Sequence, residues 1–227
     1  MKNMYFKNQK EFDSFRENLS IIGIGSESTC YRLNKRVIKY LNGPYAEEYT
    51  ESQIKAFESF NDLNSFVFSD GVLYIKDKVK GLLMPYISGV RCVDYDFNKL
   101  EIATLIKALT LVKNDIIKLS QAGIVIYDIS NVNIIFHNDC QFKIIDTNCY
   151  TFSKDDVLED NMFKFNYYLL QTIFNDDFST FVNNYYFEKW INSYYNPEEI
   201  LSCLNNKLEK IISNPKVKDI KTLSKKL

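Results

Sequence analysis

The stretch "AGIVIYDISNVNIIFHNDCQFKIIDTN", residues 122–148, alternates short apolar runs with isolated polar side chains. Apolar runs precede Asp128, follow Asn133 and precede Asp146. Short apolar runs bounded by turn-forming residues are typical of buried strands. We therefore expect a β-hairpin with its turn at residues 137–141, and we expect two carboxylates and one amide at the ends of strands.

These three side chains suit the transfer of a phosphoryl group. A carboxylate such as that of Asp128 can orient a hydroxyl group and accept its proton. The amide oxygen of Asn133 and the carboxylate of Asp146 can bind Mg²⁺, a hard ion that prefers oxygen ligands and usually binds together with phosphates. Mn²⁺ is an alternative ion for the same ligands. The stretch therefore predicts a catalytic carboxylate beside a metal site.

The composition of the 227-residue chain favours a folded protein with a sizeable core. Hydrophobic residues make up 46% of the chain, well above the content of disordered proteins. The 28 Lys and Arg residues balance the 29 Asp and Glu residues, so we expect no non-specific binding to nucleic acid or to an anionic membrane. There is no N-terminal signal pattern and no apolar run of about 18 residues, so no transmembrane helix is expected.

The cysteine and histidine residues argue against several kinds of site. None of the five Cys residues forms a CxxC pair, so neither a zinc site nor a disulfide framework is expected. A reducing compartment fits best, and we expect a cytoplasmic protein, with secretion by a route without a cleaved signal as the alternative. The single histidine, His137, is expected in a surface turn, and the lack of a second histidine argues against a Ser/His/Asp or Cys/His centre.

The hydrophobic pattern changes near the middle of the chain. Residues 20–41 read as strands with a turn at Asn34-Lys35, and residues 46–63 carry apolar side chains at helical spacing. Residues 65–87 return to strands, whereas residues 100–123 read as a long helix that ends at a glycine. The expected inner face of this helix consists of Leu105, Leu109, Val112, Ile116 and Leu119.

The pattern predicts an α+β fold with two lobes. The first lobe, residues 1–87, is expected to be small and β-rich with one helix. The second lobe, residues 88–227, is expected to be mostly helical, with further helices from about residue 160 onward. Clefts between lobes are favoured sites for ligands.

A glycine turn and a lysine in the first lobe suit the binding of phosphates. The turn "GIGSES", residues 23–28, lies between two expected strands, and its small residues let backbone N–H groups approach anionic oxygens. Lys39 follows at the end of the second strand and is a candidate phosphate ligand. Such a lysine needs a carboxylate partner on a neighbouring helix, for which we favour Glu51 and keep Glu48 as the second choice.

The ordered set "GIGSESTCYRL", "RVIK", "YDISNVN" and "IIDTN" resembles the signature motifs of the protein-kinase-like superfamily, and "LLMPYISG" resembles its hinge. The resemblance implies a bilobal kinase fold that binds ATP with Mg²⁺. It implies that Lys39 contacts the α- and β-phosphates and pairs with Glu51. It also implies that Asp128 is the catalytic residue that orients the acceptor hydroxyl, and that Asn133 and Asp146 bind the metal. The residues implied to surround the nucleotide are Gly23, Gly25, Ser26 and Ser28 in the turn, Cys30, Val37, Met84 and Ile135 in the apolar pocket, and Pro85 and Ile87 in the hinge.

The sequence departs from the family's pattern at several positions. Tyr127 replaces the arginine before the catalytic aspartate, which argues against switching by loop phosphorylation. Ser130 replaces a lysine, so slower chemistry or a substitute cation is implied. Thr147-Asn148 replaces the Phe-Gly after the metal aspartate. Asp160 resembles the buried aspartate of the central helix, and its closeness to Asp146 leaves no room for a full activation segment.

Three functions remain in competition. The first is a minimal Ser/Thr protein kinase with a protein substrate, supported by the complete set of catalytic and metal-binding residues. The second is a small-molecule kinase of the kind that resembles aminoglycoside or choline kinases, supported by the short segment after the metal aspartate. The third is a nucleotide-binding pseudokinase, supported by the replaced motif residues.

Overall fold

The protein, described here by a computed structural model, has a mixed α+β fold, which confirms the α+β part of the predicted fold class, whereas the bilobal kinase-like fold stays a prediction. Two compact units emerge from the contacts along the chain. One unit contains Met1–Leu63 and Val67–Ile87, and the other contains Asn64–Phe66 and Ser88–Leu227. The residues that the structure describes are 3–43, 49, 51–97, 100–165, 168 and 219.

A six-stranded sheet forms the first unit. Its strands are β1 (Met4–Phe6), β2 (Ser20–Ile24), β3 (Ser28–Leu33), β4 (Arg36–Leu41), β5 (Gly71–Ile75) and β6 (Lys78–Pro85). Their order across the sheet is β1-β5-β6-β4-β3-β2, and every neighbouring pair is antiparallel except β1 and β5. The predicted strands around residues 20–41 are therefore confirmed.

Tight turns with left-handed backbone connect the central strands. Asn34, with φ of 56°, turns the chain between β3 and β4, as predicted. Lys76 and Asp77, with φ of 50° and 59°, connect β5 to β6. Positive φ at both central positions, as at Lys76 and Asp77, is what a type I′ hairpin turn needs, because this backbone twist matches that of the strands. Strand β6 begins directly after this second turn, at Lys78.

A short N-terminal helix, α1 (Gln9–Arg16), covers one face of the sheet and was not predicted from the sequence. Its N-cap residue Asn8 accepts a hydrogen bond from the backbone N–H of Glu11 at 3.0 Å. Phe12 on this helix is completely buried. The buried side chains that pack in the same cluster are Tyr31, Ile38, Leu73, Ile75 and Leu83.

The second helix, α2 (Glu51–Ala56), contributes to a different hydrophobic cluster. This helix is shorter than the predicted range of residues 46–63, and a 3-10 turn at Glu58–Phe60 follows it. Ile54 is its buried residue. The buried partners in this cluster are Val37, Val72, Tyr74, Leu82 and Met84.

In the second unit, α3 (Ile102–Gln121) is the long helix that the sequence predicts. Gly123, with φ of 73°, follows its end, which agrees with the predicted glycine stop. The five apolar residues predicted for its inner face are all buried, with at most 1% of their surface exposed. Residues 158–165 are also helical, whereas the helices predicted after residue 168 lie outside the described residues.

Five short strands accompany these helices: β7 (Gly89–Arg91), β8 (Ile124–Val125), β9 (Ile134–His137), β10 (Phe142–Ile144) and β11 (Thr151–Phe152). They form one sheet in the order β10-β9-β7 and a two-stranded sheet of β11 and β8. The antiparallel pair of β9 and β10 is the hairpin predicted from the opening stretch.

The segment Asn64–Phe66 packs with the second unit through backbone hydrogen bonds. The Ser65 carbonyl accepts a bond from Ile144 N–H at 2.6 Å, and the Ser65 N–H donates to Asp115 Oδ2 at 2.7 Å. Asp115 is buried on α3, and this burial raises the pKa of its carboxyl group. Among the described residues, no helix combines the length and the apolar character that crossing a membrane requires.

Candidate functional site

The loop from Asp128 to Asn133 is closed by hydrogen bonds between its two ends. The side-chain amide of Asn133 donates to the backbone carbonyl of Asp128 and to its Oδ2, both at 3.2 Å. A bond from Ser130 N–H to the Asp128 carbonyl at 2.9 Å tightens the first turn. Because the amide nitrogen of Asn133 donates its hydrogen bonds within the loop, the amide oxygen Oδ1 is the atom suited to bind a cation. The loop thus fixes an exposed carboxylate beside an amide oxygen.

Asp146 follows β10 and adopts a left-handed backbone conformation, with φ of 63°. It precedes a 3-10 turn at Thr147–Cys149. The N–H of Ile145 donates to the Asn133 carbonyl at 2.9 Å, which ties the backbone next to Asp146 to the residue that ends the loop. The structure therefore brings Asp128, Asn133 and Asp146 together within the second unit.

The donor atoms of Asn133 and Asp146 fit a hard divalent cation. Both residues offer oxygen, which Mg²⁺ prefers over nitrogen or sulfur. No group of three or more His, Cys, Asp or Glu residues in the described part of the chain is arranged as a metal centre. Mg²⁺ is usually bound by one or two protein oxygen ligands and completes its coordination with phosphates or water.

Asn161 anchors the backbone that leads into the loop. It is completely buried, and its Oδ1 accepts a hydrogen bond from Ile126 N–H at 2.8 Å. Its Nδ2 donates to the Ser120 hydroxyl at 2.9 Å and to the Ile124 carbonyl at 2.8 Å. The prediction that Asp160 takes the buried position is wrong, because the Asp160 side chain is 57% exposed. Asn161 occupies the buried position, one residue further along the helix.

A buried tyrosine lies near both aspartates of the site. Tyr150 is almost completely buried, and this burial raises the pKa of its hydroxyl group, with the negative charges of Cys149, Asp146 and Asp128 adding to the effect. Tyr150 was not predicted as a site residue, because an aromatic residue after a strand has the pattern of an ordinary core residue.

In the first unit, strand pairing brings several of the predicted nucleotide-binding residues together. Alternate residues of a strand point to the same face of a sheet, so Val37 and Lys39 on β4 share one face. Cys30 is paired with Lys39, and Met84 is paired with Val37. Both Val37 and Met84 belong to the cluster that contains α2. The structure therefore places Lys39, which is only 5% exposed, beside the predicted apolar residues of the first unit.

The glycine turn connects β2 to β3 and is closed by a bond from Gly25 N–H to the Ser28 carbonyl at 2.8 Å. Gly23, Gly25 and Ser26 are exposed, whereas Ser28 is buried. A Cβ added at Gly23 would meet Cys30 Cβ at 3.8 Å, and one added at Gly25 would meet the Ser28 carbonyl at 3.8 Å. These are ordinary contacts, so packing within the chain does not require glycine at either position.

Glu51 is the first residue of α2, and its carboxylate has partners within the first unit. It accepts a hydrogen bond from the Tyr74 hydroxyl and forms an ion pair with Lys55 at 2.7 Å. The bond to Lys55 and then the bond to Tyr74 lower the pKa of the Glu51 carboxyl group. The pairing of Glu51 with Lys39 stays a prediction, and the second choice, Glu48, lies outside the described residues.

The remaining predicted residues lie near the ends of strands. Pro85 ends β6 and is exposed, and Ile87 is the last residue of the first unit. Ile135 lies on β9 of the second unit, paired with Lys143 and Arg91. The first unit thus contains the predicted phosphate and adenine residues, and the second unit contains Ile135 with the predicted catalytic and metal residues.

His137 is the last residue of β9 and links two parts of the second unit. Its Nε2 lies 3.3 Å from the Ser88 hydroxyl, and its Nδ1 lies 2.6 Å from Asp139 Oδ1. The backbone nitrogen of Asp139 also lies 3.3 Å from Nδ1. His137 is therefore partly buried at the start of the hairpin turn, and its ring connects the turn to the segment that precedes β7.

No protein-family model matches the chain, and a search of curated proteins finds no similar sequence.

Proposed function

We propose that the protein is an ATP- and Mg²⁺-dependent phosphotransferase with a bilobal protein-kinase-like fold, and that it is a minimal Ser/Thr protein kinase. The observation that carries this proposal is the loop in which Asn133 is bonded to Asp128 and tied by its carbonyl to the backbone next to Asp146. It unites a carboxylate that can accept a proton with two oxygen donors for a cation. A protein kinase would use the carboxylate to accept a proton and the two oxygen donors to bind a cation. We propose that this kinase acts in the cytoplasm.

Each residue has a role that its chemistry supports. Asp128 orients the acceptor hydroxyl and accepts its proton. Lys39 contributes positive charge to the α- and β-phosphates, a role that its compact ammonium group suits. Asn133 and Asp146 hold Mg²⁺ or Mn²⁺, which supplies positive charge that offsets the charge of the phosphates.

The glycine turn supports the binding of a phosphate-containing ligand. Backbone N–H groups can approach anionic oxygens closely where no side chain intervenes. Gly23 and Gly25 are exposed and are not required by packing within the chain. A ligand that needs this space accounts for the absence of side chains at both positions.

One observation favours a second candidate, a small-molecule kinase. The chain after Asp146 forms the 3-10 turn and then β11, which pairs with β8. Residues 158–165 are already helical. The short connection leaves little chain for a platform that docks a peptide, so the acceptor of this candidate is a small molecule with a hydroxyl group.

The test is transfer from labelled ATP in the presence of Mg²⁺, with either cell lysate proteins or pools of small hydroxyl-containing molecules as acceptors. Asp128→Asn and Asp146→Asn are expected to lower transfer by at least about 100-fold. Asp77→Asn is the matched control, because Asp77 also has a left-handed backbone but lies in a hairpin turn of the first unit.

The acceptor that becomes labelled separates the two candidates. Labelled protein supports the protein kinase, and labelled small molecules support the second candidate. Nucleotide binding without transfer to any acceptor would contradict both and would favour a pseudokinase. Equal transfer by Asp128→Asn and Asp77→Asn would show that Asp128 has no catalytic role.

A further inference from the structure

Two side chains of the helix at residues 158–165 bind both backbone polar groups of one residue near the loop. Asn161 Oδ1 accepts from the N–H of Ile126 at 2.8 Å, and Lys164 Nζ donates to the Ile126 carbonyl at 3.1 Å. Residues three positions apart lie on the same side of a helix, so the two side chains approach the segment together. Ile126 is thereby held two residues before Asp128.

The ammonium group of Lys164 has two further contacts. It lies 2.5 Å from Asp160 Oδ2 and 5.0 Å from the centre of the Tyr127 ring. An ammonium group over an aromatic face is attracted by the electron density of the ring. The Lys164 side chain is 27% exposed, so water screens these interactions only in part. A positive charge is thus fixed against Tyr127, the residue directly before Asp128.

We propose that Lys164 is a positioning residue for Asp128, an inference that rests on the proposed function. Lys164 acts through the Ile126 carbonyl and the Tyr127 ring. Releasing the Ile126 carbonyl frees the peptide between Ile126 and Tyr127 to rotate, and this rotation changes the direction of the Asp128 carboxylate. A misplacement of about 1 Å at a catalytic group lowers a rate by about 100-fold. Lys164 therefore affects the chemical step more than the binding of nucleotide.

The experiment compares Lys164→Met, which keeps the apolar stem, with Lys164→Arg, which keeps the positive charge. Lys164→Met is expected to lower kcat by about 10- to 100-fold while the KM for ATP changes by less than about 2-fold. Lys164→Arg is expected to recover most of the lost kcat. Lys154→Met, at an exposed position of the same unit, is the matched control and is expected to behave like the native protein.

Amide hydrogen exchange of peptides covering residues 122–130 gives a second readout that does not need activity. Faster exchange in Lys164→Met, with native exchange in Lys154→Met, supports the proposal. Lys164→Gln is measured in parallel and replaces Lys164→Met if the latter does not fold.

The two readouts separate failure of the positioning role from failure of the proposed function. Native kcat in Lys164→Met, or a raised KM with native kcat, would overturn the positioning role in an active enzyme. If the native protein transfers phosphate to no acceptor, the proposed function fails, and hydrogen exchange still decides whether Lys164 holds the backbone. Unchanged exchange in that case overturns the inference.

Discussion

Replacing Asn161 by alanine is expected to destabilise the second unit by about 3 to 7 kcal/mol. This loss of stability is the sum of the energies of the hydrogen bonds that Asn161 makes in the structure. The substitution removes three hydrogen bonds from a completely buried side chain. It leaves the Ile126 N–H and the Ile124 carbonyl without their partner, at about 1 to 3 kcal/mol each, whereas the Ser120 hydroxyl can rotate and loses about 1 kcal/mol. Domains are stable by only about 5 to 15 kcal/mol, so the loss is a large fraction of the total.

The assay is urea unfolding followed by circular dichroism, with the free energy of unfolding extrapolated to water. Ser120→Ala is the matched control, because it removes one of the three bonds and should cost about 1 kcal/mol. Asn161→Asp is a further variant that keeps an acceptor for Ile126 but places a carboxylate against the Ile124 carbonyl, so it should also be destabilised. A loss in Asn161→Ala no larger than that in Ser120→Ala would refute the anchoring role of Asn161.

Three other predictions concern the first unit. Phe12→Ala should lower the free energy of unfolding by about 3 to 5 kcal/mol, because Phe12 is completely buried between α1 and the sheet, and a loss below about 1 kcal/mol would contradict this packing. Gly25→Ala should leave the free energy of unfolding unchanged within about 1 kcal/mol, because the added Cβ meets only an ordinary contact. The same variant should be less stabilised against heat by Mg-ATP than the native protein. Equal stabilisation by Mg-ATP would argue against a phosphate at this turn. Burial raises the pKa of Tyr74 from 10.0 to about 12. The neutral Tyr74 hydroxyl therefore contributes to the free energy of unfolding below pH 10, and this contribution is lost as the pH rises through 12. Tyr74→Phe should therefore lose less stability than the native protein over this range in urea unfolding, and equal losses would contradict the raised pKa.

The elements that could be predicted are those whose signals are local. The turn at Asn34-Lys35 and the glycine stop at Gly123 follow from the conformational preferences of single residues. The inner face of α3 follows from periodicity over a long segment. By contrast, α1 has only eight residues, too few for a stable isolated helix. It is stabilised by packing on strands distant in sequence, so its own residues give a weak signal.

The candidate site also has a part with a local sequence signal and a part that depends on residues distant in sequence. Asp128, Asn133 and Asp146 lie within one short stretch, so their spacing could be interpreted directly. The anchoring residue lies on a helix whose rotational position the sequence leaves open. Successive residues of a helix differ by about 100° around its axis. An aspartate and an asparagine are adjacent at this point, and an error of one residue therefore exchanged the exposed Asp160 for the buried Asn161.

The backbone conformations of the described residues give a separate reason to regard the loop as functional. The non-glycine residues with positive φ are Asn34, Lys76, Asp77, Asp128, Cys140 and Asp146. Four of them lie in hairpin turns, where this conformation is needed to reverse the chain. Asp128 and Asp146 do not reverse a hairpin. Their backbone is held by bonds to Asn133 and by the anchoring of Ile126 to Asn161. Outside hairpin turns a left-handed conformation is uncommon for a residue with a side chain, and such residues cluster at functional sites. Asp128, proposed to accept a proton, and Asp146, proposed to bind the metal, are thus the two residues whose left-handed backbone is held by these hydrogen bonds.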